Sequence, residues 1–220
     1  MTPPAAVTPP PDATTPDTTT PGAGVPVISR ALPWLLTIGG AIGLAAAGAL
    51  LVEKIRVLEN PGHVPACSIN PVLSCGTVMD TPQAAAFGIP NPVIGVACFA
   101  IVATVGTALL AGGAFRRWFW LGLQAGTVFG AGFVHWLIYQ SLYRIGALCP
   151  YCMAVWAVTV PVFWYVTLHN LRAGHIRVPA GLRRPLDALA RNHTVALTVW
   201  ALAVIVAIAH AFRANWGSLL

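Results

Sequence analysis

Two cysteines, Cys149 and Cys152, flank Pro150 and Tyr151 at the point where a long apolar run begins. With Pro150 in a first-turn helical position, both sulfurs face the same side of that turn. The unpaired N–H groups and the macrodipole of a helix N-terminus place partial positive charge beside the sulfur and favour thiolate. That is a position for redox exchange. The bland alternative is a pair of small packing cysteines, which would explain neither the proline between them nor the second pair upstream.

The second pair is Cys67 and Cys75, separated by SINPVLS, enough chain to close a disulfide. Alone, such a bridge reads as a staple for its loop. Beside a CxxC it reads as half of a relay, in which a thiolate attacks a disulfide through a mixed-disulfide intermediate and one pair must be able to reach the other. The prolines of the surrounding loop supply that mobility. Four cysteines could also bind zinc or copper(I), but only one pair has finger-like spacing, so no metal ligand is assigned. Cys98 lies within an apolar run and reads as a buried packing cysteine. His135 and His210 are lone histidines in apolar runs, and they read as hydrogen-bonding to neighbouring helices rather than relaying protons.

The elements that must position these residues are membrane helices. The chain has 220 residues, 57% hydrophobic and 8% charged, with mean hydropathy +0.74, far below the roughly 25% charged residues of soluble domains. It reads as an all-α membrane protein, with the lipid bilayer as a partner. The net charge of +6 does not point to nucleic acid, because the basic residues are scattered between apolar spans, as positive-inside placement requires.

Residues 1–29 are rich in Thr, Pro and Ala, cannot bury enough apolar surface to offset chain entropy, and read as a disordered tail. Residues 30–168 hold four spans: 31–52, 91–113, 118 to about 142, and 150 to about 168. The polar loop 53–90 between the first two contains Cys67 and Cys75. Thr81 with Pro82 behind it predicts an N-cap and a short helix over 83–87, lying over the membrane surface. In the third span, Gly122, Gly126 and Gly130 recur every fourth residue, a spacing that predicts close approach of a neighbouring helix. Residues 169–192 form a basic loop, and 193–220 hold a fifth span and a short tail.

With five spans and Arg30 inside, eight basic residues fall on the inner side: Arg30, Arg116, Arg117, Arg172, Arg177, Arg183, Arg184 and Arg191. Four fall outside: Lys54, Arg56, Arg144 and Arg213. This satisfies the positive-inside rule and puts the N-terminus in the cytoplasm. Both cysteine pairs then share the outer face, where disulfides persist in bacteria.

Cys67, seven residues, Cys75, then Val78 and Thr81, then NPVIG from Asn91 entering a span, then CPYC opening the fourth span, resembles the vitamin K epoxide reductase family. The likeness extends over about 34–166. This order of motifs separates the chain from quinone reductases of the DsbB type, in which the CxxC comes first. The resemblance implies a four-helix bundle enclosing a quinone, menaquinone being the expected one, with an outer loop and a short helix as its cap. It implies a stand-alone membrane form, without a fused thioredoxin-like domain, that reoxidises a separate DsbA-like thioredoxin-fold protein outside the bacterial cell membrane. Vertebrate members instead reduce vitamin K epoxide. That activity is one alternative function, and a non-catalytic metal-binding or assembly protein is another.

Residue by residue, the resemblance makes Cys67 and Cys75 the shuttle pair, with Cys75 exchanging with Cys149 and Cys152 facing the quinone. It makes Asn91 a hydrogen-bond donor to a quinone carbonyl and Thr81 a support for the loop cysteines. Four residues after Cys152, vertebrate members carry a tyrosine. This chain has Trp156, whose indole N–H is a candidate donor for the second carbonyl or whose ring simply walls the pocket.

Overall fold

A computed structural model describes residues 27–176, 179, 181, 186 and 191–213. Its helices are α1 (Val27–Glu59), α2 (Cys75–Met79), a 3₁₀ turn (Pro82–Ala85), α3 (Asn91–Leu110), α4 (Arg117–Gln140), a π turn (Ser141–Ile145), α5 (Pro150–Arg172) and α6 (His193–Ala211). Five of them, α1, α3, α5, α6 and α4 with its π turn, are long and apolar enough to cross a membrane. Among the described residues there is no strand, only an isolated parallel bridge between Leu73 and Leu148. The chain is an all-α, multi-pass membrane protein.

The expected disordered tail falls mostly on residues outside those described, although Val27–Arg30 already belong to α1. That helix also runs to Glu59, beyond the expected end of the first span at 52. It does so because Glu53, Lys54 and Arg56 find partners at the membrane surface. The Glu53 carboxylate is buried and accepts from His63 Nε2 at 2.8 Å and Arg56 Nη1 at 3.3 Å, while Lys54 Nζ donates to the Met79 carbonyl at 3.0 Å.

α1 is the central helix of the bundle and packs against both α3 and α5, and α4 packs against α5. There is no comparable packing between α3 and α4. Among the described helices, α1 and α3 pack most extensively. A Cβ at Gly43 would lie inside the Phe99 ring, one at Gly106 inside the backbone of Thr37, and one at Gly40 would meet Ala103 N at 2.5 Å.

The sequence-based expectation for glycine is corrected here. At Gly122 and Gly126 an added Cβ would meet nothing within 4 Å, and at Gly130 only Thr159 Cγ2 at 3.5 Å. The stripe on α4 faces a cavity rather than a helix. Spacing alone does not distinguish these cases, since a missing side chain leaves room equally for a backbone or for a void.

At the end of the bundle away from the cysteines, Leu32, Leu36, Val102, Val105, Trp120, Val162 and Val166 form a closed core. The same end is held by a buried Asn170. Its Nδ2 donates to Gln124 Oε1 at 3.0 Å and to the Trp120 carbonyl at 3.3 Å, and its Oδ1 accepts from His175 Nδ1 at 2.9 Å. Satisfying each of these buried groups removes a cost of about 1–3 kcal/mol.

Candidate functional site

Cys149 is the N-cap of α5 and Pro150 is its first residue, so the local geometry follows the order of the sequence. Cys149 Sγ accepts from the Cys152 backbone N–H at 3.4 Å. The Cys149 thiol is held below its usual pKa first by a hydrogen bond from the Cys152 side chain and then by the backbone N–H groups of Cys152 and Tyr151, against the opposing effect of burial. A capping sulfur is thus turned toward thiolate by the first turn of its own helix.

The loop pair is a disulfide, Cys67–Cys75, while Cys149 and Cys152 are free thiols. Cys75 and Cys149 are both fully buried, and their sulfurs lie 3.2 Å apart. One pair is thus within reach of the other, with the inner half of the loop docked on Cys149. The cause is the bridge just ahead of both residues, where Leu148 N donates to the Val72 carbonyl at 2.7 Å and Ser74 N to the Leu148 carbonyl at 2.9 Å. Asn70 shapes the approach, its Oδ1 accepting from the backbone N–H groups of Val72 and Leu73.

Cys75 is also the first residue of α2, a helix not foreseen from sequence. Ser74 caps it, accepting from Thr77 N at 3.2 Å. A five-residue helix has no apolar periodicity to find, but the S-x-x-T step after a proline-rich stretch is its one local signal. The short helix expected over 83–87 is instead the 3₁₀ turn Pro82–Ala85. Thr81 stands at its N-cap position, yet its Oγ1 donates backward to the Val78 carbonyl at 2.7 Å, toward the helix that carries Cys75.

Beneath this cap lies a cavity of about 460 Å³ between α3 and α4, floored by α1 and α5. Cys149, Cys152, Asn91, Thr81 and Trp156 all line it. Asn91 is the first residue of α3, and Pro90, not Asn91, takes the cap position. The Asn91 amide joins wall to roof, with Nδ2 donating to the Gln83 carbonyl at 2.7 Å and Oδ1 accepting from Ala86 N at 3.1 Å. Trp156 is buried, and its indole N–H has no hydrogen-bond partner in the protein; the same holds for the buried Gln140 Oε1 at the cavity wall.

Cys98 is corrected: it is exposed and lines this cavity rather than packing in the core. A cavity-facing position has the same apolar sequence context as a packed one, so the residue pattern carried no warning. His135 does bond to a neighbouring helix. Its Nδ1–H donates to the Ala131 carbonyl at 2.7 Å and its Nε2 accepts from Trp200 Nε1 on α6 at 2.9 Å.

A dithiol with its first sulfur buried against a preformed disulfide, opening on an apolar membrane cavity of small-molecule size, defines a thiol redox protein with a lipid-soluble reaction partner. Residues 34–167 match the model of the vitamin K epoxide reductase family, and the chain belongs to that family. It is accordingly a membrane oxidoreductase linked to quinone. No curated protein matches the chain. The cavity suits a quinone, being apolar almost throughout and carrying a buried, unpartnered indole N–H.

Proposed function

We propose that this protein is a thiol:quinone oxidoreductase that supports disulfide formation outside the bacterial cell membrane, reoxidising a separate DsbA-like thioredoxin-fold protein, with menaquinone as acceptor. The observation that carries the reading is the 3.2 Å separation of Cys75 and Cys149 at the mouth of a cavity that Cys149 and Cys152 both line.

In the first step a thiolate of the partner attacks the Cys67–Cys75 disulfide at Cys67, and the partner's second thiol resolves the mixed disulfide. The partner leaves oxidised, and Cys67 and Cys75 hold the electron pair. Cys75 then attacks Cys149 of a Cys149–Cys152 disulfide, releasing Cys152 as thiolate. Cys67 attacks Cys75, restoring the loop disulfide and freeing Cys149. The resulting state has the loop bridged and CPYC reduced, the same pairing as in the structure.

Bound quinone supplies a two-electron, two-proton acceptor. The chain's part is to hold Cys152 against the cavity, to offer hydrogen bonds from Asn91 and Trp156 to ring oxygens, and to exclude water. The two thiols carry two electrons and two protons, so the transfer balances when Cys149 and Cys152 return to a disulfide. Thr81 steadies the roof through Val78.

The test is quinone reduction by purified protein supplied with a reduced thioredoxin-fold protein. Cys149→Ala and Cys152→Ala should each abolish turnover, and Cys98→Ala should retain most of it. Quinone reduction persisting without Cys152 would sink the mechanism.

A further inference from the structure

The fifth membrane helix lies outside the residues that match the family, 34–167, and no residue of its apolar window is fully buried in the protein. It touches the bundle at three places, the first being its start, where His193 Nδ1 lies 3.1 Å from Tyr165 Oη. Trp200 donates to His135, and the tip, from Val204 to Phe212, joins an apolar cluster at the cysteine end. Phe212 is only 6% exposed. A phenylalanine at the end of a membrane helix gains little from the hydrophobic effect by choosing protein over lipid, so its burial reflects a specific fit.

The cluster it joins includes residues that set the thiol geometry, beside Ile138, Leu142 and Trp156. Val72 and Leu148, both buried, belong to the same cluster as Phe212. They are also the residues whose backbones make the bridge that leads into Cys75 and Cys149. A shift of either side chain moves a sulfur within one to three residues. We infer that Phe212 is a positioning residue, through which the fifth helix holds the Val72 and Leu148 side chains at the Leu73–Leu148 bridge and so sets the approach of Cys75 to Cys149.

This inference rests on the relay proposed above and concerns one half-reaction of it, so the two halves are measured separately. Exchange between the pairs is followed by reducing the loop disulfide with a pulse of reduced thioredoxin-fold protein, quenching with acid and counting alkylated thiols at each cysteine by mass spectrometry. Oxidation of CPYC is followed in a Cys67→Ala/Cys75→Ala background, using dithiothreitol-reduced protein and a short-chain naphthoquinone.

Misplacing reacting atoms by about 1 Å can cost about a hundredfold. Phe212→Ala should therefore slow exchange between the pairs by at least about tenfold while CPYC oxidation by the quinone stays near the parent rate. Phe212→Leu, which refills most of the space, should restore exchange. Exchange at the wild-type rate in Phe212→Ala, or equal loss in both half-reactions, would overturn the inference. Should Phe212→Ala fail to assemble, Phe212→Val replaces it and should show a smaller slowing confined to exchange; a wild-type exchange rate there has the same overturning force. If the unmodified protein itself moves no electrons between its pairs, the relay falls, and with it any role for Phe212 in positioning it.

Discussion

Cys149 joins three functions in one sulfur: it caps α5, it lies beside Cys75 and it lines the cavity. Its lowered pKa comes first from the Cys152 thiol, so the two members of CPYC are not interchangeable. The sign follows directly. A thiol with a depressed pKa is thiolate at lower pH, and removing the main cause moves its titration upward. In a Cys67→Ala/Cys75→Ala/Cys98→Ala background, the rate of methyl methanethiosulfonate modification at Cys149 should rise with pH, and further replacing Cys152 with Ala should shift that rise to higher pH. An unmoved profile would place the cause elsewhere. Asn91 is the second residue whose role can be isolated. Its amide ties α3 to the Pro82–Ala86 segment by two hydrogen bonds as well as facing the cavity. Asn91→Ala leaves the Gln83 carbonyl and Ala86 N–H without that partner, at about 1 kcal/mol each. The roof should loosen, and the quinone concentration for half-maximal rate should rise about tenfold, measured by steady-state kinetics with saturating thiol donor.

Among the elements, glycine separates two kinds of helix surface. Gly126 on α4 looks into open cavity, whereas Gly106 on α3 is pressed against the backbone of α1. The same substitution should therefore have opposite consequences. Gly126→Leu should leave the folded yield and thermal midpoint near those of the parent but raise the quinone KM severalfold, because the side chain occupies ligand space. Gly106→Leu should fail to assemble, since overpacking costs about 1–3 kcal/mol even where neighbours can yield, and here the neighbour is backbone. Size-exclusion profiles and thermal melts of the two variants distinguish these outcomes. The contrast also marks how far sequence reaches. The four spans around the cysteines, the fifth span, the loop and the helix start at Pro150 were legible, because hydropathy and proline act locally. The direction in which a glycine or Cys98 faces was not, because it depends on where α3 and α4 part. The short α2 and the Leu73–Leu148 bridge were hidden for the same reason: a five-residue helix and a single bridge carry no period, yet they place Cys75 on Cys149.

At the scale of the whole molecule, chemistry and cohesion occupy opposite ends of the bundle. The cysteine end has a docked loop and an apolar cavity, with little packing between α3 and α4. The other end is closed by an apolar core and by the hydrogen bonds of Asn170, which connect α5 to Gln124 and Trp120 on α4 and to His175 beyond the end of α5. A bundle left open on one side for its ligand needs its helices fixed somewhere else, and the Asn170 network fixes α4 to α5 at the end away from the cysteines. Gln124 extends it, donating to Thr167 Oγ1 at 2.9 Å, and Arg117 adds a bond to the His175 carbonyl at 2.8 Å. Replacing Asn170 with Leu keeps the volume but leaves the half-buried Gln124 Oε1 and His175 Nδ1 without that partner, a loss of about 1 kcal/mol each. The thermal midpoint should fall by several degrees, since about 1 kcal/mol moves it by about 2–4 °C in a chain of this size. Exchange between the two cysteine pairs, measured well below the melt, should keep its wild-type rate. A variant that melts normally but exchanges slowly would mean that the two ends are mechanically coupled, and that the network tunes the thiol site rather than anchoring the bundle.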